Sequence, residues 1–97
     1  MAQYVYIYTG GGMPESEEEG KQMLEAWNTF LGGIGDKVVD MGKPFGASKS
    51  VNGGAVLNAS GYSVVNAGSL DEAVAMAKAC PIFERGGNVE VYETVDM

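Results

Sequence analysis

One short run constrains this chain more than any other: Gln3-Tyr4-Val5-Tyr6-Ile7-Tyr8-Thr9. Tyr4, Tyr6 and Tyr8 alternate with Val5 and Ile7, and in an extended chain successive side chains point to opposite faces. Aromatic and β-branched residues suit a pleated surface, so the run predicts a strand. Both of its faces are apolar, which a strand with one face in water does not need. The tyrosine side is therefore expected to be covered.

The residues that follow alternate helix and strand signals. Gly10-Gly11-Gly12-Met13-Pro14 breaks the strand. Ser16 with Glu19 three residues on reads as a capping box, and Glu17, Glu18 and Glu19 sit where a helix dipole favours negative charge. Met23, Trp27, Phe30 and Ile34, with Leu24 and Leu31, form one apolar stripe, and Gly32, Gly33 and Gly35 are expected to end the helix. Residues 37–41 predict a short strand, with Val38 and Asp40 on one face and Val39 and Met41 on the other. Between 42 and 60 the pattern weakens, and Asn52-Gly53 is a candidate type I′ turn joining β-capable pieces at 48–51 and 55–58. Residues 61–67 predict a strand. Ser69 with Glu72 is a second capping box, Leu70, Ala73, Val74 and Ala77 form the inward stripe, and Pro81 stops the helix. Gly86-Gly87 leads into a last strand over 88–95.

This order is β-α-β-(hairpin)-β-α-β, the ferredoxin-like split βαβ arrangement of the α+β class: a four-stranded antiparallel sheet, plus a small hairpin, with two helices on one face. One domain is expected to span residues 1–97, since no repeat, linker or low-complexity tract interrupts it. The uncovered face is expected to carry Tyr4, Tyr6, Tyr8, Val38 and Tyr92, a large apolar patch for a monomer. Pairing two such sheets would bury it, which predicts a symmetric homodimer with Asp40 and Glu90 beside an inter-sheet cleft.

Composition narrows the function. Thirteen acidic against six basic residues leave a net charge of -7, a field that repels phosphate backbones and anionic membranes, so neither nucleic acid nor a membrane is expected as a partner. No apolar run approaches the roughly 20 residues of a membrane helix. Met1-Ala2-Gln3-Tyr4 carries no basic n-region, and single Cys80 cannot close an intrachain disulfide. Both point to the cytoplasm. With no histidine and one cysteine, zinc, haem and Ser-His-Asp chemistry lack their usual groups, and neither a metal nor a cofactor is expected.

Three stretches together resemble the YCII-related (DGPF-domain) family: residues 61–73 (Gly-Tyr-Ser-Val-Val-Asn-Ala-Gly-Ser-Leu-Asp-Glu-Ala), 77–81 (Ala-Lys-Ala-Cys-Pro) and 86–92 (Gly-Gly-Asn-Val-Glu-Val-Tyr). The strand and Trp-bearing helix of residues 4–31 correspond more loosely. The resemblance implies a dimeric α+β barrel. The middle departs from the family pattern, with Gly42 and Lys43 ahead of Pro44-Phe45 where the signature has Asp and Gly. Family members proposed as enzymes carry a cleft histidine and aspartate; this chain has no histidine, so that dyad does not transfer. Similar domains beside sigma factors add a regulatory reading by analogy.

Several groups remain as candidates, each beside a plainer reading. The glycines at 10–12 suggest a phosphate loop, but the run fails both the GxGxxG and Walker A patterns and four glutamates surround it, so a tight turn stands against it. Glu15, Glu17, Glu18 and Glu19 suggest a hard cation, against a solvated helix start whose carboxylates diverge. Cys80 is a reactive thiol or a small structural residue. Lys43, Ser48 and Lys49 form a loop suited to a small carboxylate or phosphate, or an ordinary soluble arm. Tyr4, Tyr6, Tyr8 and Tyr92, with Asp40 or Glu90 as a general base, line a ligand cleft or fill a dimer interface.

Two leading readings follow. One is a homodimeric, cofactor-free module that binds a small anionic or aromatic molecule or serves an accessory role. The other is a small lyase or isomerase using a carboxylate base. A regulatory partner of a transcription factor is the third.

Overall fold

The computed structural model describes residues 2–11, 15–54 and 58–95. Strand β1 is Ala2–Thr9, helix α1 Glu17–Ile34, strand β2 Val38–Asp40, strand β3 Ala59–Ala67, helix α2 Leu70–Ala77 and strand β4 Asn88–Glu93. Two 3-10 turns, Gly35–Lys37 and Pro81–Arg85, precede β2 and β4. The sheet runs β2-β3-β1-β4 with every neighbouring pair antiparallel, the α+β ferredoxin-like arrangement expected.

Both helix starts form as their sequences dictate. Ser16 Oγ accepts the Glu19 amide at 3.1 Å, and Ser69 Oγ accepts the Glu72 amide at 3.1 Å, each satisfying an otherwise orphaned donor. Helix α1 runs through Gly32 and Gly33 and ends at Gly35, where the chain takes a φ of 67°. The first two glycines keep helical geometry because Leu31 and Ile34 hold that last turn on the core.

The tyrosines overturn one expectation. Tyr4, Tyr6 and Tyr8 are 2%, 0% and 5% exposed and lie under the helices, in one cluster with Phe30, Leu31, Ala73 and Ala77. The expected inter-sheet patch is therefore differently composed. Helix α2 explains why: it buries only alanines, and the gap this leaves is filled by the long Tyr6 ring, whose hydroxyl donates to the Ala73 carbonyl at 2.6 Å. With both faces of β1 apolar, alternation alone does not say which one the helices take.

The face away from the helices carries Val5 and Ile7 with their cross-strand partners Val64, Tyr62, Tyr92 and Glu90. Tyr92 does lie there, but Val38 does not. A bulge in β2 pairs Val38 with Val65 and Asp40 with Val64, so Val38 faces the core and Asp40 the open side. The expectation that the two share a face fails on that one extra residue.

Two further expectations are corrected. At 50–53 the Gly53 amide bonds the Ser50 carbonyl at 3.3 Å, which centres the turn on Val51 and Asn52. Gly53 has positive φ and Asn52 does not, so this is no type I′ turn; residues 55–57 of the expected hairpin lie outside the described residues. In α2, Leu70 and Val74 are exposed, and Met76 joins Ala73 and Ala77 against the core.

Candidate functional site

Where β1 ends and β3 begins, helix α1 stands off the sheet and leaves a pocket of about 380 Å³. Trp27 and Leu31 line it from α1, Tyr8 and Ser63 from the sheet, and Met41 and Ile82 from the connecting segments. The Trp27 and Tyr8 rings meet edge to face, with centroids 4.8 Å apart.

Glycine makes one wall. Gly42 has a φ of 76°, its amide donates to Asp40 Oδ1 at 2.8 Å, and a Cβ there would stand 1.6 Å from the Tyr62 carbonyl oxygen. Only glycine lets the 41–44 segment lie this close to β3. The segment is then tied down by a Pro44–Gly61 bridge and by the Phe45 amide, which donates to the Ser60 carbonyl at 2.8 Å. On the opposite side, Arg85 Nε donates to the Gly11 carbonyl at 2.7 Å and its guanidinium pairs with Glu19 at 2.6 Å. The guanidinium holds the Glu19 carboxyl below its usual range, first by hydrogen bonding.

At the base lies a directional hydrogen-bond chain. The Met41 carbonyl can only accept, so Ser63 Oγ donates to it at 2.8 Å. Ser63 Oγ in turn accepts the Tyr8 hydroxyl at 2.9 Å. Burial raises the Tyr8 phenol well above its usual 10.0, so it stays protonated, and its oxygen presents lone pairs rather than a proton.

The residues singled out in the sequence are scattered. Lys43 lines the pocket, whereas Ser48 and Lys49, both exposed, do not. Tyr6 is in the core beneath α2. Tyr92, Glu90 and Asp40 are on the open sheet face, where the Tyr92 hydroxyl donates to Glu90 at 2.9 Å and Tyr62 to Asp40 at 3.4 Å. Asp40 and Glu90 belong to opposite edge strands, about 14 Å apart at three strand spacings, so within one protomer they do not converge. Cys80 is buried, which raises its thiol to about 11 and keeps it protonated. Glycines 10 and 11 make a positive-φ turn packed on Gly87 and Ile82. Among the described residues, no group of three His, Cys, Asp or Glu is placed to hold a metal ion.

Sequence reasoning missed Ser63, Trp27 and Arg85 as pocket residues, and it placed Tyr8 in a cleft on the opposite face of the sheet. One signal was present: Gly61, Ser63, Val65 and Ala67 alternate on one face of β3, and a serine among them marks a buried hydroxyl needing partners.

No protein-family model matches the chain, and no curated protein matches it either. Among solved structures, it is similar to 5-chloro-2-hydroxyhydroquinone dehydrochlorinase (TftG) from Burkholderia phenoliruptrix AC1100, determined in complex with 2,5-dihydroxybenzoquinone. The TM-score is 0.61 at 15% identity, over 96% of this chain and 93% of that one. That likeness shows a shared α+β fold. No helix among the described residues is long and apolar enough to cross a membrane.

Proposed function

We propose that this chain is a single-domain, cofactor-free protein of the YCII-related type that binds a small planar molecule in the pocket between α1 and the sheet. The observation that carries this reading is the pocket itself: about 380 Å³, walled by Trp27, Tyr8, Leu31 and Met41, with a polar chain confined to its base. An apolar cleft with a few convergent polar groups is the usual form of a small-molecule site. The structural neighbour, which holds a quinone on the same fold, supports a ring-shaped ligand. The open sheet face, with Val5, Ile7, Tyr62, Val64 and Tyr92, supports a homodimer paired sheet to sheet. A lone buried Cys80 suits a reducing cytoplasm.

Titration calorimetry with 2,5-dihydroxybenzoate tests the binding reading. Saturable one-to-one binding is expected, and Met41→Trp, which puts a large ring at the half-exposed pocket wall, should abolish it. Binding that Met41→Trp leaves unchanged would refute the pocket.

A catalytic reading draws on the open face, where Asp40 and Glu90 are each hydrogen-bonded by a tyrosine. In a sheet-to-sheet dimer these carboxylates become candidate bases for a lyase or isomerase. Loss of turnover with binding retained in Asp40→Asn supports that reading, and equal loss of both removes it.

A further inference from the structure

The charges around the pocket run against those of the whole chain. The molecule carries thirteen acidic and six basic residues, yet none of the pocket's lining residues is acidic and two of the six basic ones, Lys43 and Arg85, are among them. They approach from different sides. Lys43 lies on the segment bonded to β3, where its carbonyl accepts the Tyr62 amide at 3.4 Å, and Arg85 lies beyond the end of β1, tied to Gly11. Glu19 neutralises much of Arg85's charge but also holds the guanidinium in place. Lys43 is paired with no carboxylate among the described residues. In an acidic chain, Lys43 beside an apolar hollow, with what Glu19 leaves of Arg85's charge, attracts an anion that the rest of the surface repels.

The base of the pocket adds a second requirement. Because the Met41 carbonyl fixes the direction of the Ser63 and Tyr8 hydrogen bonds, the Tyr8 oxygen offers an acceptor to whatever enters. A ligand that fills the base with a hydroxyl can donate to it; one that presents only acceptors leaves both oxygens facing each other.

Resting on the pocket reading above, we infer that the site selects a hydroxylated aromatic anion, with its charge toward Lys43 and Arg85 and a hydroxyl donated to Tyr8. A neutral ring of the same shape loses the charge contact, and a charged ring without a donor loses the contact at the base.

Calorimetry at neutral pH with three probes separates these terms. The probes are 2,5-dihydroxybenzoate, its uncharged analogue 2,5-dihydroxybenzamide, and 2,5-difluorobenzoate, which keeps ring and charge but donates nothing. The dihydroxybenzoate is expected to bind at least about tenfold more tightly than either, a preference of the size that one charge-assisted contact supplies. Lys43→Gln should weaken binding of the dihydroxybenzoate by more than it weakens binding of the amide, narrowing the gap between the two. Tyr8→Phe should erase the advantage over the difluoro compound. Equal binding of acid and amide would overturn the charge selection and leave the pocket standing. Equal binding of the dihydroxy and difluoro acids would overturn the donor requirement. Failure of all three probes to bind would overturn this inference together with the reading it rests on.

Discussion

Tyr6 carries more structural responsibility than its place in an alternating run suggests. Its ring is fully buried, and its hydroxyl holds the Ala73 carbonyl at 2.6 Å, tying the centre of the sheet to α2. Tyr6→Phe should lower stability by about 1–2 kcal/mol, since a buried hydrogen bond is lost with little change in packing. Denaturant titration reads this as a lower midpoint at unchanged slope. Burial also makes Tyr6 and Cys80 reluctant to ionise: Tyr6 is pushed up to about 12 from 10.0, with a smaller contribution from Cys80, and Cys80 to about 11 from 9.0. In the unfolded chain both ionise at their ordinary values. Their contribution to stability is therefore complete below pH 9.0 and is lost as pH rises through 11 and 12. Melting temperatures measured across this range should fall steadily, and Cys80→Ala should delay the onset. A flat profile would show that neither group is buried as described.

At the scale of elements, the parts set by local chemistry were readable from the letters. Both capping boxes form at the serines that announce them, and the four strands follow the alternating runs. What local pattern lacks is the choice between two apolar faces, and there the reading of β1 went the other way. Alternation defines two sides; only the small residues of α2, Ala73 and Ala77, leave room for tyrosines, and that is a packing fact between distant segments. The bulge in β2 is similar, since one extra residue turns Asp40 away from Val38. Of the pocket, Lys43 was legible on its loop and Tyr8 only as part of a cleft on the wrong face, while Trp27, Ser63 and Arg85 meet through tertiary packing rather than spacing. The 41–44 segment offers a sharp test. In Gly42→Ala, the positive φ alone costs roughly 1 kcal/mol. The added methyl would also meet the Tyr62 backbone, which cannot step aside as a side chain can. The expected result is a loss exceeding that figure together with weakened ligand binding. A variant as stable as the parent would mean the segment does not pack on β3.

For the whole molecule, one side of the sheet is filled by helices and the other is left with Val5, Ile7, Tyr62, Val64 and Tyr92, the last 51% exposed. A second copy set against that face buries apolar area without disturbing the pocket, which lies on the helical side. Sedimentation should find a dimer, and Val64→Lys, placing a charge at the middle of the face, should yield a folded monomer. A parent protein that sediments as a monomer would remove this assembly.

The central claim is that a small planar molecule enters between α1 and the sheet. Its most direct test is amide and indole chemical-shift mapping of labelled protein titrated with 2,5-dihydroxybenzoate. Saturable shifts are predicted at the Trp27 indole, Gly42, Ser63 and Ile82, with Val64 and Tyr92 unmoved. Shifts gathered on Val64 and Tyr92, with the Trp27 indole unchanged, would contradict the account.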